Sequence, residues 1–103
     1  MNDEKTPIQL DDQLASRMAE LFRALSDPSR LKIIAALCGG GTNVGGIAKM
    51  VGISESAVSH QLRTLRQMRL VRAHRKGREV FYTLDDDHVT DLFMRGYAHS
   101  IHA

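Results

Sequence analysis

Four residues near the C-terminus have the side chains and the spacing of a metal site. They form two pairs separated by ten residues, Asp86 with His88 and His99 with His102. Carboxylate oxygens and imidazole nitrogens are zinc ligands, and each must lie about 2.0–2.2 Å from the metal. On a single α-helix, positions eleven apart face the same way but lie roughly 16 Å from each other. One helix therefore cannot bring the two pairs to one metal ion.

A second copy of the helix solves this distance problem. If an antiparallel copy lies alongside, the first pair of one subunit meets the second pair of the other. We therefore expect a symmetric homodimer with two interfacial metal sites. Because residues two apart face opposite sides of a regular helix, we expect Asp86 to lie at the capping start of the helix, with Asp85 or Asp86 as the N-cap.

Length and composition indicate one helix-rich domain. The chain has 103 residues, 43% of them hydrophobic, with no Trp, which is enough for one modest core. The N-terminus is acidic and polar, unlike a signal peptide, and no apolar run approaches the roughly eighteen residues that span a membrane. Cys38 is the single cysteine, so an intramolecular disulfide is excluded. We expect a cytoplasmic protein with no membrane partner.

Charge is segregated along the chain. Residues 54–84 carry seven Lys and Arg against two Glu, whereas residues 85–103 carry four Asp against one Arg. A concentrated positive charge favours contacts with nucleic-acid phosphates, and an acidic segment with histidines favours cations. The middle of the chain is thus predicted to bind DNA and its end to bind metal.

The spacing of apolar residues predicts four helices between about residue 12 and about residue 68. They cover about 12–25, the segment from Pro28 through LKIIAAL, 44–51, and the segment from Ser54 to about 68. Asp27 and Ser54 are the expected N-caps and Gly52 a C-terminal cap. The last two helices predict a helix-turn-helix, whose second helix enters the major groove. Residues 1–10 are predicted to be a flexible arm and residues 11–103 one domain.

A β-hairpin and a final helix complete the predicted fold. Residues 70–74 and 79–84 are predicted to be two strands, and Arg75-Lys76-Gly77-Arg78 is expected to form the turn between them. A cationic hairpin after a helix-turn-helix is typical of a winged helix, mainly α with a β-hairpin wing. From Asp85 onward a helix is predicted whose apolar positions suit the seam of a homodimer.

The expected DNA-binding residues lie on the second helix of the helix-turn-helix and on the hairpin. They are Ser54, Ser56, Ser59, His60, Gln61, Arg63, Arg75, Lys76 and Arg78. Serine and glutamine side chains are suited to base edges, where glutamine bonds an adenine in both directions. Arginine and lysine on phosphates set position rather than sequence preference. A two-fold homodimer predicts a palindromic double-stranded operator.

Two stretches of this sequence resemble the ArsR/SmtB family of bacterial metal-responsive repressors. They are LSDPSRLKII at 25–34 and ISESAVSHQLR at 53–63, joined by the Arg-Lys-Gly-Arg hairpin and its Tyr-x-Leu exit. The resemblance covers roughly residues 12–102. It implies a winged-helix homodimer that binds operator DNA and releases it when metal binds.

The resemblance also indicates which metal site is used. All four ligand positions, Asp86, His88, His99 and His102, match the zinc-sensing subgroup whose site lies between the last helices of the dimer. Other members hold metal with a cysteine pair near the helix-turn-helix, where this chain has Cys38 alone. The family links a ligand histidine's ring N–H to the backbone at the end of the recognition helix. Arg69 is the matching position, which implies a second-shell role for its backbone.

These observations predict a transcriptional repressor that Zn(II) releases from DNA, with Co(II) as a possible substitute metal. The alternatives are a repressor that responds to nickel, cobalt or copper, and a metal-binding interaction module that does not bind an operator. An enzyme is not expected, because zinc with four protein ligands has no open position for a substrate. No small organic substrate is expected either.

Overall fold

The structure, a computed structural model, describes residues 5–102 as five helices and one β-hairpin. In chain order the elements are α1 (Asp12–Ala24), α2 (Pro28–Leu37), α3 (Val44–Val51), α4 (Glu55–Gln67), β1 (Val71–Lys76), β2 (Glu79–Leu84) and α5 (Asp87–Ile101). This order confirms the predicted winged helix-turn-helix. Residues 5–10 of the predicted arm are exposed and form neither helix nor strand, and residues 1–4 lie outside the described residues.

Each helix starts at a residue whose side chain accepts a backbone hydrogen bond from three positions further on. These N-caps are Asp11, Asp27, Asn43, Ser54 and Asp86. A cap supplies an acceptor to an N–H group that the first turn leaves unpaired, and each stabilises its helix by about 1 kcal/mol. The predicted caps Asp27 and Ser54 are confirmed. Gly52 has a φ of 82°, so the predicted left-handed C-cap of α3 is confirmed too.

The core is centred on α2, which packs against α3, α4 and β2. Ile33 and Ile34 are fully buried there. The helical spacing of Val58, Leu62 and Leu65 predicts an inward stripe on α4, and all three are buried. The apolar segment LKIIAAL predicts a helix that is buried on most sides, but this is wrong in part, since Leu31 and Lys32 are exposed. Only one face of α2 covers the core.

The hairpin has a shorter turn than predicted. β1 and β2 pair antiparallel from Val71 opposite Leu84 to Lys76 opposite Glu79. Arg75 and Lys76 therefore belong to β1, and the turn consists of residues 77 and 78. Gly77 has a φ of 64°, and a two-residue hairpin turn favours glycine at such a position because it has no Cβ. β1 thus ends two residues later than the charge pattern indicated, whereas β2 has the predicted bounds.

A short bridge that the sequence did not predict joins the hairpin to the segment before α3. The backbone N–H of Thr42 donates to the carbonyl oxygen of Tyr82 at 3.2 Å, and the reverse bond is 2.8 Å. A Cβ on the neighbouring Gly41 would lie 2.6 Å from Cγ2 of Thr83, so the close approach requires glycine. The three glycines after α2, at positions 39–41, therefore also allow the edge of the wing to approach closely.

Helices α1 and α5 leave much apolar surface uncovered. Val89 is the α5 residue in the core, and Phe93 packs against that core. Further along α5 the apolar side chains of Met94, Tyr97 and Ile101 are exposed. Together with residues of α1 and α2 this helix borders an apolar groove of about 590 Å³. Within residues 5–102, no helix is both long and apolar enough to cross a membrane.

Candidate metal centre and DNA-binding surface

The structure brings the first predicted ligand pair together at the start of α5. Asp86 has an extended backbone, with a φ of −158°, and caps the helix by accepting a 3.2 Å hydrogen bond from the backbone N–H of Val89 on Oδ1. Its other oxygen, Oδ2, lies 3.6 Å from Nδ1 of His88. The prediction that Asp86 lies at the capping start is confirmed. One carboxylate oxygen holds the helix, and the other faces the imidazole.

Both side chains of this pair are open to solvent. The side chain of His88 is 95% exposed and that of Asp86 is 48% exposed. An exposed imidazole beside a carboxylate is available to a ligand that approaches from outside the protomer. A metal can therefore reach these atoms without any rearrangement of the protomer.

The second predicted pair lies at the other end of α5. His99 is in the last turn, and His102 is the C-cap, whose backbone N–H donates to the carbonyl oxygen of His99. Residues three apart on a helix are neighbours on one face, so the two imidazoles share a side of the molecule. Both residues are exposed, and His99 borders the apolar groove.

The two pairs do not meet within one chain. Among residues 5–102 no three His, Cys, Asp or Glu side chains come close enough together to hold a metal ion. α5 is continuous from residue 87 to residue 101, so its rise keeps His88 and His99 roughly 16 Å apart. Each protomer therefore presents two half-sets of ligands.

Cys38 lies apart from these residues at the end of α2. It is the C-cap of that helix. Partial desolvation raises the pKa of its thiol above the ordinary value, which lowers the fraction of thiolate at neutral pH. Since the thiolate is the form that binds metal, metal binding at this residue would first have to displace the thiol proton.

Helix α4 presents most of the predicted DNA-binding residues to solvent. Ser56, Ser59, His60 and Arg63 are exposed along one side of the helix. Ser54 stands at its start, where Oγ accepts a 3.0 Å hydrogen bond from the backbone N–H of Ala57. Its hydroxyl proton stays available for a phosphate oxygen. The structure thus places these five positions on one surface.

Gln61 is less exposed than expected for a base-reading residue. It is half-buried, and its Oε1 accepts a 2.9 Å hydrogen bond from Nε of Arg30 on α2. Nη1 of the same arginine donates to the carbonyl oxygen of Ala24 at the end of α1. Gln61 and Arg30 are 31 positions apart in the chain, so no local pattern could reveal this contact. The two hydrogen bonds of Arg30 thus join the end of α1 and the start of α2 to the middle of α4.

The hairpin carries the remaining predicted cations. Arg75, Lys76 and Arg78 are all exposed there. Next to them, Nδ2 of Asn43 donates to Oε1 of Glu79 at 2.6 Å. Because Asn43 also caps α3, this hydrogen bond attaches the wing directly to the first helix of the helix-turn-helix. The wing is thereby held against the start of α3.

A groove between α4 and β2 contains residues that the sequence reasoning did not select. It has a volume of about 520 Å³ and is lined by Ser59, Leu62, Arg63, Arg66, Gln67 and Tyr82. Arg66 follows Arg63 by three positions, and that spacing on a helix places both guanidinium groups on the same face. This spacing was the available signal for Arg66. Tyr82 reaches the groove from the hairpin, and only the tertiary fold shows that.

Arg69, the predicted second-shell position, occupies the bend after α4. It has a φ of 59°, the one positive φ of a non-glycine residue within the part of the chain that the structure describes. Its backbone N–H donates to the carbonyl oxygen of Arg66 at 3.0 Å. The next residue, Leu70, donates to the carbonyl oxygen of Leu65 at 2.9 Å. The bend is thereby attached to the last turn of the helix.

Comparison with known sequences identifies the family. The pattern of bacterial regulatory proteins of the arsR family matches residues 27–73. The chain is 44% identical over 93 residues to the HTH-type transcriptional regulator NmtR of Mycobacterium tuberculosis, which covers 90% of this chain and 78% of that regulator. This chain belongs to the ArsR family.

Two further relatives of this ArsR-family chain are regulators as well. It is 52% identical over 79 residues to the transcriptional repressor SmtB homolog of Synechocystis sp., covering 77% of this chain and 60% of that repressor. The match therefore spans less than two thirds of that relative's length. The chain is 35% identical over 83 residues to the cadmium resistance transcriptional regulatory protein CadC homolog of Staphylococcus aureus, covering 80% of this chain and 69% of that protein.

Solved structures agree with the ArsR assignment. The solution structure of apo-NmtR has a TM-score of 0.78 and 40% identity, and the match covers 100% of this chain and 87% of that one. The homodimeric winged helix-turn-helix DNA-binding domain of a possible ArsR-family regulator from Mycobacterium bovis has a TM-score of 0.81 and 28% identity, covering 92% of this chain and 90% of that one. The fold described above is that of an ArsR winged helix.

Proposed function

We propose that this protein is a metal-responsive transcriptional repressor that binds palindromic operator DNA as a homodimer and leaves it when Zn(II) binds between the α5 helices. One observation carries the proposal. The two ligand pairs lie at opposite ends of one continuous α5, at a distance that a single chain cannot close. The names of its relatives, a transcriptional repressor and a cadmium resistance regulator, support repression and response to metal. Because the proposed target is operator DNA, we expect the protein to act in the cytoplasm.

The uncovered apolar surface supports the homodimer. On α1 and α5 the exposed large apolar side chains are Leu14, Met18, Phe22, Met94, Tyr97 and Ile101. Exposed apolar surface of this extent marks an interaction site. The solved relative from Mycobacterium bovis is homodimeric. Pairing of α5 with a second copy would cover this surface and bring the ligand half-sets together.

The chemistry of the donor set favours zinc. Asp86, His88, His99 and His102 offer oxygen and nitrogen atoms and no sulfur, as many tetrahedral zinc sites do. Zinc would join two protomers through these side chains. The same ligands also bind nickel, cobalt and copper, because affinity alone separates these metals poorly. Selectivity among them is decided by coordination number and geometry.

The exposed surface of α4 and the wing supports operator binding. Ser56, Ser59 and His60 project from α4 and are suited to base edges in the major groove. The cations Arg63, Arg75, Lys76 and Arg78 are suited to phosphates, which set the position of the protein on the duplex. In a two-fold dimer the two recognition helices would read half-sites about 34–36 Å apart.

Metal acts on DNA binding only if the DNA-competent and the released dimers bind it differently. The proposed zinc sites join the α5 helices of two protomers, so they constrain the distance between the two α4 helices. The backbone of Arg69, at the bend directly after α4, is the proposed acceptor for the free ring N–H of a ligand histidine. Such a bond would orient that ring as well.

A titration of fluorescent operator duplex tests the proposal. We expect zinc to weaken binding of the wild-type protein, and His99→Ala to remove this response while its metal-free binding stays intact. His74→Ala is the control for metal binding, because this histidine lies on β1 and bonds to Thr83. Release of DNA by His99→Ala at the wild-type zinc concentration would show that the proposed site is wrong. A Co(II) absorption spectrum distinguishes four-coordinate from six-coordinate binding.

A further inference from the structure

Asp85, the residue before the N-cap of α5, is held by three contacts. Its backbone N–H donates to the carbonyl oxygen of Leu70 at 2.9 Å. Nη2 of Arg72 donates to the carbonyl oxygen of Asp85 at 2.5 Å, and Nε of Arg72 lies 3.4 Å from Asp85 Oδ1. Asp85 therefore connects the segment after α4, the strand β1 and the start of α5.

This connection lies between the recognition helix and the first ligand pair. Leu70 is bonded through its N–H to Leu65 in the last turns of α4. On the other side, Asp86 follows Asp85 directly, caps α5 and faces His88. A change in the direction of the backbone at Asp85 must therefore move the ligand pair relative to α4.

We propose that Arg72 is a positioning residue that couples the metal site to the recognition helix. Its planar guanidinium engages a backbone carbonyl and a carboxylate of the same residue, which fixes direction as well as distance. The Arg72 side chain is 55% exposed and that of Asp85 31% exposed, so the ion pair itself adds little stability. Its effect is on geometry. This inference rests on the proposed function, because coupling requires that metal release the operator.

The test compares operator affinity with and without zinc for each variant. Arg72→Met keeps the aliphatic stem and removes the donors. Loss of a positive charge near DNA lowers the operator affinity equally with and without zinc, so the ratio of the two affinities isolates the coupling. We expect this ratio to fall roughly 2- to 30-fold, and Arg72→Lys to restore part of it because an ammonium group can still donate to one acceptor. Lys32→Met is the charge-matched control on α2, and its ratio stays at the wild-type value.

A second readout concerns the metal-free protein. In Arg72→Met we expect the backbone amide of Asp85 to exchange with solvent hydrogen faster, while the amide of the buried Leu62 keeps its wild-type protection. The thermal unfolding midpoint stays near that of the wild type. With Co(II) bound, the absorption bands of the variant shift or broaden because the position of Asp86 and His88 is no longer fixed.

The outcomes separate the two proposals. If zinc does not release the wild-type protein from the operator, the proposed function fails, and the coupling role of Arg72 fails with it. If zinc releases the wild-type protein and Arg72→Met by the same factor, and the Asp85 amide keeps its protection, the inference about Arg72 is overturned while the proposed function stands.

Discussion

One chain buries the core of the segment from α2 to the wing, but it leaves much of α1 and α5 uncovered. Nearly all of the core lies between Ile33 and Val71, with only Ala24 contributed by α1 and Val89 by α5. The outer faces of α1 and α5 keep large apolar side chains and two half-sets of metal ligands in solvent. A single protomer thus completes the proposed DNA-reading unit, whereas the proposed sensing unit needs a second copy. A dimer seam on these two helices, as proposed, would let a metal signal enter without disturbing the core.

Removing a core contact should have the largest effect on stability. Leu62 is 1% exposed and lies between α4 and the rest of the core. Leu62→Ala leaves a cavity and should lower the free energy of unfolding by about 2–5 kcal/mol, as measured by urea denaturation. Met50→Ala, at a position 59% exposed on α3, should change it by less than about 0.5 kcal/mol. Similar losses for both variants would contradict the proposed core.

A charge on the α5 seam should break the dimer and spare the protomer. Tyr97 is 51% exposed and stacks on Phe93 with 6.3 Å between ring centroids. Tyr97→Glu should weaken self-association by about 2 kcal/mol, roughly 30-fold, because a buried carboxylate would have no partner in the seam. Sedimentation equilibrium measures this, and Met50→Glu is the control. Unchanged association of Tyr97→Glu would place the seam elsewhere.

Two substitutions at Asp86 separate its capping role from its ligand role. Asparagine is as good an N-cap as aspartate, whereas alanine lacks the acceptor and costs about 0.5–2 kcal/mol. In the metal-free protein, Asp86→Ala should therefore lower the thermal midpoint and Asp86→Asn should not. Both should weaken zinc binding, as isothermal titration calorimetry would show. Wild-type zinc affinity in Asp86→Asn would remove this carboxylate from the ligand set.

Cations on α4 and on the wing should contribute to DNA binding through phosphates. Arg63→Gln and Arg75→Gln should each weaken binding to operator and to unrelated duplex alike, and each should reduce the salt dependence of affinity by about one charge. Anisotropy titrations at several salt concentrations measure the slope. A loss confined to one operator position would instead identify the residue as a base reader.

The smallest effect is expected at Cys38. Its pKa is raised by desolvation, so neutral thiol dominates at neutral pH and the thiolate becomes available only as the pH rises. Cys38→Ser should leave zinc affinity and operator release unchanged. The Co(II)-loaded wild-type protein should show no sulfur-to-cobalt charge-transfer band. Such a band, lost in Cys38→Ser, would indicate a thiolate ligand.

Local patterns in the sequence predict most of this fold. The helix starts at Asp27 and Ser54 follow from capping chemistry, which acts over three residues. The capping position of Asp86 follows from its spacing to His88. Contacts between distant segments have no such local signal, which is why the hydrogen bond from Arg30 to Gln61 was missed. Because Oε1 of Gln61 accepts this bond, contact of the Gln61 side chain with an adenine would compete with it.

The wing shows the same limit. Local sequence predicts both strands and the charge pattern predicts a four-residue turn, but strand pairing extends to Lys76 opposite Glu79. The position of Arg72 on Asp85 depends on the hairpin register and on the path of the chain into α5. The four proposed ligands are recognised from their spacing, so the sequence predicts the set. A single protomer presents them only as two separate pairs.

Mixing two inactive variants tests most directly whether the metal site is shared between protomers. Neither His88→Ala nor His99→Ala should bind metal tightly as a homodimer. After mixing and exchange of subunits, each mixed dimer should contain one intact site, built from the unaltered first pair of one chain and the unaltered second pair of the other. The mixture should then recover roughly a quarter of the wild-type zinc capacity, since half of randomly paired dimers are mixed and each carries one site of two. No recovery of tight zinc binding, despite proven subunit exchange, would contradict an interfacial site.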